Sequence, residues 1–125
     1  MATATGDEAL KAQAFSALDG LLDRVAAGDA PRSPTVCHGL AGLVALAQEF
    51  AAHGSPGAAR AVPRLVEDLL DTADPDRPLV YRDHETTGQL VDNPGLLTGA
   101  AGVALTLRAV ATGERPSWWE VLFLQ

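Results

Sequence analysis

The spacing of apolar residues along the chain predicts two amphipathic helices. In residues 7–27 the apolar positions fall on one helical stripe, and charged residues occupy much of the remaining surface, as expected of a surface helix. After a turn at 54–57, residues 58–70 show the same pattern, and we place the start of that helix near Ala61 because Pro63 fits best in a first turn. The first stripe consists of Leu10, Ala14, Leu18, Leu21, Leu22 and Val25.

Two further segments are apolar on nearly every side, a pattern typical of interior helices. Residues 39–52 contain only Gln48 and Glu49 as polar side chains, and residues 95–112 contain only three threonines and Arg108. The pattern therefore predicts an all-α fold of about four helices, two outer and two inner. The length of the chain favours a single domain over residues 1–125.

The remaining segments are predicted to be irregular. Residues 1–6 are expected to form a disordered leader, and residues 74–93 form a long loop rich in Asp, Pro and Thr. Loops of this length often have a function or close over a site. The tail over residues 116–125 contains two tryptophans and is too apolar for a free end, so we expect it to pack on the helices.

The two inner helices are related by a repeat of sixty residues. Gly39 and Gly42 in the first match Gly99 and Gly102 in the second. Glycine inside a helix costs about 1 kcal/mol relative to alanine, so matched glycines indicate a close approach of helices or backbone. Helical pairs of this kind stack into solenoids or closed α/α toroids and need about three or more repeats. Because this chain has about two, we predict an arc of an α/α toroid.

Composition and charge exclude several classes of protein. A net charge of −7 with a single lysine argues against a nucleic-acid-binding surface, and a single cysteine excludes an internal disulfide. The longest uncharged apolar-rich stretch, residues 94–107, is too short for a membrane span. The acidic N-terminus lacks the pattern of a secretory signal. We therefore expect a cytoplasmic protein.

Cys37 and His38 are the residues most suited to chemistry. They directly precede an inner helix, where the helix dipole favours a thiolate, and Leu97 and Thr98 occupy the same positions in the second repeat. Thiolate sulfur and imidazole nitrogen are good zinc ligands, and a catalytic zinc needs three protein ligands. On residue types alone, a pair of this kind is more often a buried thiol beside a hydrogen-bonded histidine.

The other two histidines are weaker candidates. His53 lies at the C-terminal end of an inner helix, where a charge partner of the helix dipole is expected. His84 lies in the long loop between Asp83 and Glu85, where it is expected to be solvated or, alternatively, to offer a third metal ligand.

Two motifs resemble a known family. Residues 37–42 read Cys-His-Gly-Leu-Ala-Gly, residues 95–105 read Gly-Leu-Leu-Thr-Gly-Ala-Ala-Gly-Val-Ala-Leu, and an apolar tail with tryptophan follows. In this order they are similar to the C-terminal end of the lanthionine synthetase C-like (LanC-like) cyclases, from about Asp7 onward. The resemblance implies an α/α toroid that holds zinc through Cys37, His38 and a cysteine from an upstream motif.

The resemblance also implies an activity and partners. In the family, zinc binds a substrate cysteine as thiolate, and the thiolate adds to dehydroalanine or dehydrobutyrine of a dehydrated precursor peptide to close a thioether ring. The upstream cysteine has no counterpart here, and the family's acid/base histidine and its supporting arginine also lie upstream. We therefore expect the isolated chain to be inactive and to need an upstream cyclase fragment or self-association.

Three origins fit this expectation: the C-terminal third of a longer cyclase, one half of a split enzyme, or a small paralogue. A different class of function also fits, namely a non-catalytic helical-repeat module for binding or scaffolding. A self-sufficient metalloenzyme assembled from several copies fits less well, because each copy brings one Cys-His pair and no general acid. A partner chain that carries the missing zinc motif would favour the cyclase over the scaffold.

Overall fold

Within residues 6–122 the protein is an arrangement of four α-helices with one very short antiparallel ladder, which confirms the predicted all-α helical-repeat arc. The computed structural model describes residues 6–122, with the side chains of 121 and 122 outside that description. Most of the predicted leader and the last three residues of the tail therefore also lie outside it. The elements are α1 (Glu8–Ala26), α2 (Leu40–Ala52), α3 (Pro56–Leu70), β1 (Asp83–His84), β2 (Leu90–Val91), α4 (Ala100–Thr112) and a 3-10 helix (Ser117–Leu122).

Helix α1 is the amphipathic surface helix that the apolar stripe predicted. The side chain of Asp7 caps it by accepting hydrogen bonds of 3.0 Å from the N–H groups of Ala9 and Leu10. Its buried side chains are Leu18, Leu22 and Val25, which pack toward α3. No helix among residues 6–122 is long and apolar enough to cross a membrane.

Helix α3 begins earlier than the sequence pattern suggested, so the predicted start near Ala61 is wrong. The hydroxyl of Ser55 accepts a hydrogen bond of 3.2 Å from the N–H of Ala58, and Pro56 occupies the first helical position. A serine cap followed by proline strongly favours the start of a helix. The serine hydroxyl pairs one of the N-terminal N–H groups that lack a partner within the helix, and proline has no N–H at the next such position. Pro63 lies inside the helix on its exposed side, where water can solvate the carbonyl that loses its donor.

Helix α2 forms the centre of the molecule. It packs against α3 on one side and α4 on the other, and more than half of its residues are buried. Helix α4 is less enclosed than predicted for an interior helix, because only one face is covered while Ala101 and Ala104 are exposed. It also begins at Ala100 rather than near residue 95, since the preceding residues form bends.

The loops before α2 and α4 fold in the same way. Each turns over the end of its own helix, so that the first helical N–H bonds to a carbonyl seven residues earlier. The N–H of Leu40 donates to Ser33 at 2.9 Å, and the N–H of Ala100 donates to Asn93 at 2.8 Å. These bonds satisfy helix N-terminal donors that lack a capping side chain.

The matched glycines are required by this loop geometry. A Cβ at Gly39 would collide with the carbonyl of Ser33, and a Cβ at Gly99 would collide with that of Asn93. The predicted close approach is therefore confirmed, and the partner is the backbone of the preceding loop. The second glycine pair repeats the contact, Gly42 against the carbonyl of Val36 and Gly102 against that of Leu96.

The described part of the tail packs on the inner helices, as predicted. Trp119 is 3% exposed and lies against Ala45 and Ala109. The guanidinium of Arg115 binds both carboxylate oxygens of Glu49, at 2.9 and 3.2 Å, near the C-terminal end of α2. The contact of Arg115 with Glu49 lies toward the end of α2 that is opposite to Cys37 and His38.

Candidate metal centre

Cys37 and His38 lie in a turn that directly precedes α2, as the sequence predicted. The thiol of Cys37 is exposed, and the side chain of His38 is 42% exposed. The interpretation of Cys37 as a buried structural thiol therefore does not fit. Two side chains of types that can bind a metal therefore lie next to each other, exposed to solvent, at the N-terminal end of a central helix.

An apolar groove of about 460 Å³ opens beside the two residues. Its walls come from the loop before α2, from the first turns of α2 and from the loop before α4. The apolar residues that line it are Pro31, Val36, Leu43, Ala45, Leu46 and Leu97. Cys37 and His38 thus lie at the edge of a largely apolar surface.

A buried carboxylate contacts the histidine. The Nε2 atom of His38 lies 3.1 Å from Oδ1 of Asp83, and the same oxygen accepts a 2.9 Å hydrogen bond from the hydroxyl of Ser33. Ser33 is in turn 2.9 Å from the hydroxyl of Thr35. Asp83 is only 5% exposed, so its carboxylate depends on these polar partners.

The long loop is folded so as to bring Asp83 to this position. Asp83 pairs with Val91 in the β1–β2 ladder. Just before it, the N–H of Asp74 donates to the carbonyl of Val80 at 2.8 Å, and Arg82 binds the Asp74 carboxylate at 3.0 Å. Val80 has a φ of 63°, which is rare for a β-branched residue and shows that the surrounding contacts impose this path.

The sequence placed Asp83 in the long loop without a contact to His38. The two residues are 45 positions apart and belong to different repeats, so neither helical periodicity nor motif spacing connects them. The only available signal was the unusual density of charged residues in a loop of that length.

The other histidines do not join the pair. His53 follows α2 at its far end, about 20 Å along a helix of this length, and its Nδ1 lies 2.8 Å from the carbonyl oxygen of Glu49. His53 thus lies at the C-terminal end of α2, as predicted. His84 is partly exposed in β1. Within residues 6–122, no group of three or more His, Cys, Asp or Glu side chains is arranged to hold a metal ion.

A family profile described as lanthionine synthetase C-like protein matches residues 1–124. The chain belongs to this family. A search of curated proteins finds no match. The family supports the expectation drawn from the two glycine-containing motifs, and it raises the question whether Cys37 and His38 suit the zinc ion that LanC-like cyclases use.

The donor set suits zinc in type but not in number. Cys37 presents an unhindered sulfur, and His38 presents an imidazole whose Nε2 already contacts Asp83, an arrangement that many metal-binding histidines share. Two ligands leave a zinc shell half filled. The residues described here therefore fit one half of a LanC-like zinc site.

Proposed function

We propose that this LanC-like chain supplies Cys37 and His38 to the zinc centre of a cyclase that forms thioether rings in a dehydrated precursor peptide. The observation that supports it most directly is the exposure of both side chains at the edge of the apolar groove, directly before α2. A structural pair would be expected to bury the thiol.

The proposed reaction adds a cysteine thiol of the peptide across the C=C bond of dehydroalanine or dehydrobutyrine. Sulfur bonds to the β-carbon and a proton is delivered to the α-carbon, so the reaction needs no oxidant or reductant. Zinc bound at such a site lowers the pKa of a thiol and orients it. In this chain, Cys37 and His38 would bind the zinc ion. The groove beside them would hold the apolar part of the peptide.

The remaining components are proposed to come from a partner that carries the upstream part of the cyclase. A catalytic zinc needs a third protein ligand, which residues 6–122 do not bring to Cys37 and His38. The exposed flank of α4, with Ala101 and Ala104, is a surface on which neighbouring helices would complete the toroid.

Zinc occupancy measured by native mass spectrometry tests the proposal. The purified chain is expected to hold at most one zinc ion weakly, and Cys37→Ala or His38→Ala is expected to remove it. His84→Ala is the matched control, because it removes a partly exposed histidine outside the pair. Equal zinc occupancy in all four proteins would contradict the proposal and favour the non-catalytic scaffold.

A further inference from the structure

We infer that Asp83 is a positioning residue that holds His38 in the tautomer with its proton on Nε2 and thereby leaves Nδ1 as the nitrogen able to bind a metal. The tautomer follows from this chain's own hydrogen bonds. Only the role of Nδ1 as a ligand rests on the zinc site proposed above.

The hydrogen bond between Asp83 and His38 decides where the proton lies. An ionised carboxylate only accepts hydrogen bonds, and Oδ1 of Asp83 accepts from both Ser33 and Nε2 of His38. A neutral imidazole has one N–H, so Nδ1 keeps its lone pair. Among residues 6–122 nothing hydrogen-bonds to that atom. The hydrogen bond from Nε2 to Asp83 thus leaves Nδ1 as the nitrogen that can bind a metal.

The surroundings of Asp83 show that its placement is held firmly. It is buried, it is paired with Val91 in the ladder, and it follows a loop whose path includes the positive φ of Val80. Strain of this kind persists only where neighbouring contacts enforce it. The loop over residues 74–93 therefore places the carboxylate of Asp83 against Nε2 of His38.

The same chain contains an internal contrast. The Nδ1 of His53 lies 2.8 Å from the carbonyl oxygen of Glu49, and a carbonyl can only accept, so His53 must carry its proton on Nδ1. The ring of His84 makes no hydrogen bond with any residue that the structure describes. His38, His53 and His84 are therefore expected to show three different tautomer states in one spectrum.

Nuclear magnetic resonance of the 15N-labelled, metal-free chain reads these states directly. The spectrum is recorded in alkaline buffer, about two pH units above the reference pKa of about 6.5 for histidine in model peptides. His38 is expected to be protonated on Nε2 and His53 on Nδ1. His84 is expected to show the average of the two tautomers. In Asp83→Ala the ring of His38 is expected to become an average like that of His84. Asp92→Ala, an exposed aspartate of the same loop, is the matched control and leaves His38 unchanged.

Two results would overturn the inference. One is a wild-type His38 that carries its proton on Nδ1 or that averages like His84. The other is a folded Asp83→Ala variant whose His38 keeps the wild-type tautomer. If Asp83→Ala does not fold, the wild-type spectrum still decides the question, because His53 and His84 provide the references within it.

A titration with Zn²⁺ alone separates this inference from the proposed function. Zinc is expected to shift the Nδ1 resonance of His38 while Nε2 stays protonated, and Asp83→Ala is expected to weaken zinc binding about 10- to 100-fold. Loss of the Nε2 proton on zinc binding would contradict the inference. A titration that shifts neither nitrogen would contradict the proposed zinc site, while the tautomers of the metal-free chain would still decide the role of Asp83.

Discussion

The backbone N–H of Cys37 donates a 2.8 Å hydrogen bond to the carbonyl oxygen of Leu97. The two residues occupy the same position in the sixty-residue repeat, so the loop of one unit binds directly to its equivalent in the next. The second unit has apolar Leu97 where the first has Cys37, and its contribution to the site is structural. It fixes the backbone of the turn from which the thiol projects.

Close packing of each loop on its own helix makes a specific prediction for Gly39. Gly39→Ala is expected to lower the free energy of unfolding by about 1–3 kcal/mol, because the added Cβ would collide with the carbonyl of Ser33. Gly20→Ala is the matched control, since nothing lies within 4 Å of a Cβ at Gly20 inside α1. That variant is expected to gain about 0.5–1 kcal/mol. Chemical denaturation measures both, and equal stabilities would contradict the close approach.

The ion pair of Arg115 and Glu49 should stabilise the packed tail. Glu49 is 6% exposed and is held by two hydrogen bonds from Arg115, so Arg115→Ala leaves a buried carboxylate without that partner. Because Arg115 itself is partly exposed, we expect a loss of about 1–2 kcal/mol in the free energy of unfolding rather than the full cost of an unpaired buried charge.

Arg108→Ala provides the control for that prediction. Arg108 lies 3.7 Å from Glu114, with both side chains well exposed, and such pairs contribute about 0–1 kcal/mol. Thermal unfolding of the two variants should therefore differ clearly. If Arg108→Ala destabilises the chain as much as Arg115→Ala, the stabilisation by the pair of Arg115 and Glu49 does not depend on the burial of Glu49.

Tyr81 predicts how the stability changes in alkaline solution. Burial raises the pKa of its phenol above the usual value of about 10. The folded state therefore keeps the phenol proton more tightly than the unfolded state, so the stabilisation is complete below pH 10 and is lost as the pH rises through the folded pKa. Tyr81 is the only tyrosine, and its ultraviolet titration should have a midpoint above 10 in buffer and near 10 in denaturant. A midpoint at or below 10 in buffer would contradict this, and in Tyr81→Phe the part of the alkaline stability loss due to the phenol should disappear.

The inner and outer helices could be predicted because their signals are local. The stripe in α1 and the apolar run in α2 are periodic patterns that can be recognised within a single helix, and the matched glycines reflect contacts between a helix and its own loop. The start of α3 was missed because the capping pair of Ser55 and Pro56 was interpreted as a turn, although the same residues begin a helix when an apolar stripe follows.

The candidate site was only half predictable. Cys37 and His38 are adjacent in sequence, so residue chemistry, position before α2 and the resemblance of their motif to LanC-like cyclases together pointed to them. Asp83 reaches His38 through a loop whose path depends on the contacts of Asp74, on the conformation of Val80 and on pairing with Val91. None of these contacts produces a periodic pattern in the sequence. The proximity of Asp83 to His38 is therefore visible only in the three-dimensional structure.

Catalysis by the isolated chain provides a further test. We expect no ring formation in a dehydrated precursor peptide above the spontaneous rate, because residues 6–122 bring no third ligand to Cys37 and His38. Counting free thiols by alkylation and mass spectrometry, with the peptide alone as control, measures this. Thioether formation well above the control would contradict the need for an upstream part and would require a general acid from within the chain.

The exposed apolar surface leads to a prediction about association. Leu97 is 45% exposed, one flank of α4 presents Ala101 and Ala104, and the groove beside Cys37 is largely apolar. An uncovered apolar area of roughly 400 Å² would be as large as the largest patches of soluble monomers, which are often interaction sites. At about 25 cal/mol per Å², covering it contributes roughly 10 kcal/mol before the entropy cost of association.

We therefore expect the isolated chain to self-associate at micromolar concentration in sedimentation experiments. Ala104→Lys places a charge on the exposed flank of α4 and should shift the chain toward monomer without affecting the fold. Ala59→Lys, at an exposed position of α3, is the matched control and should leave association unchanged. A wild-type chain that stays monomeric and unfolds cooperatively would show that the four helices and the tail cover the core by themselves. In that case the exposed flank of α4 would have no role in completing a toroid, and the need for a partner would rest on the missing zinc ligand alone.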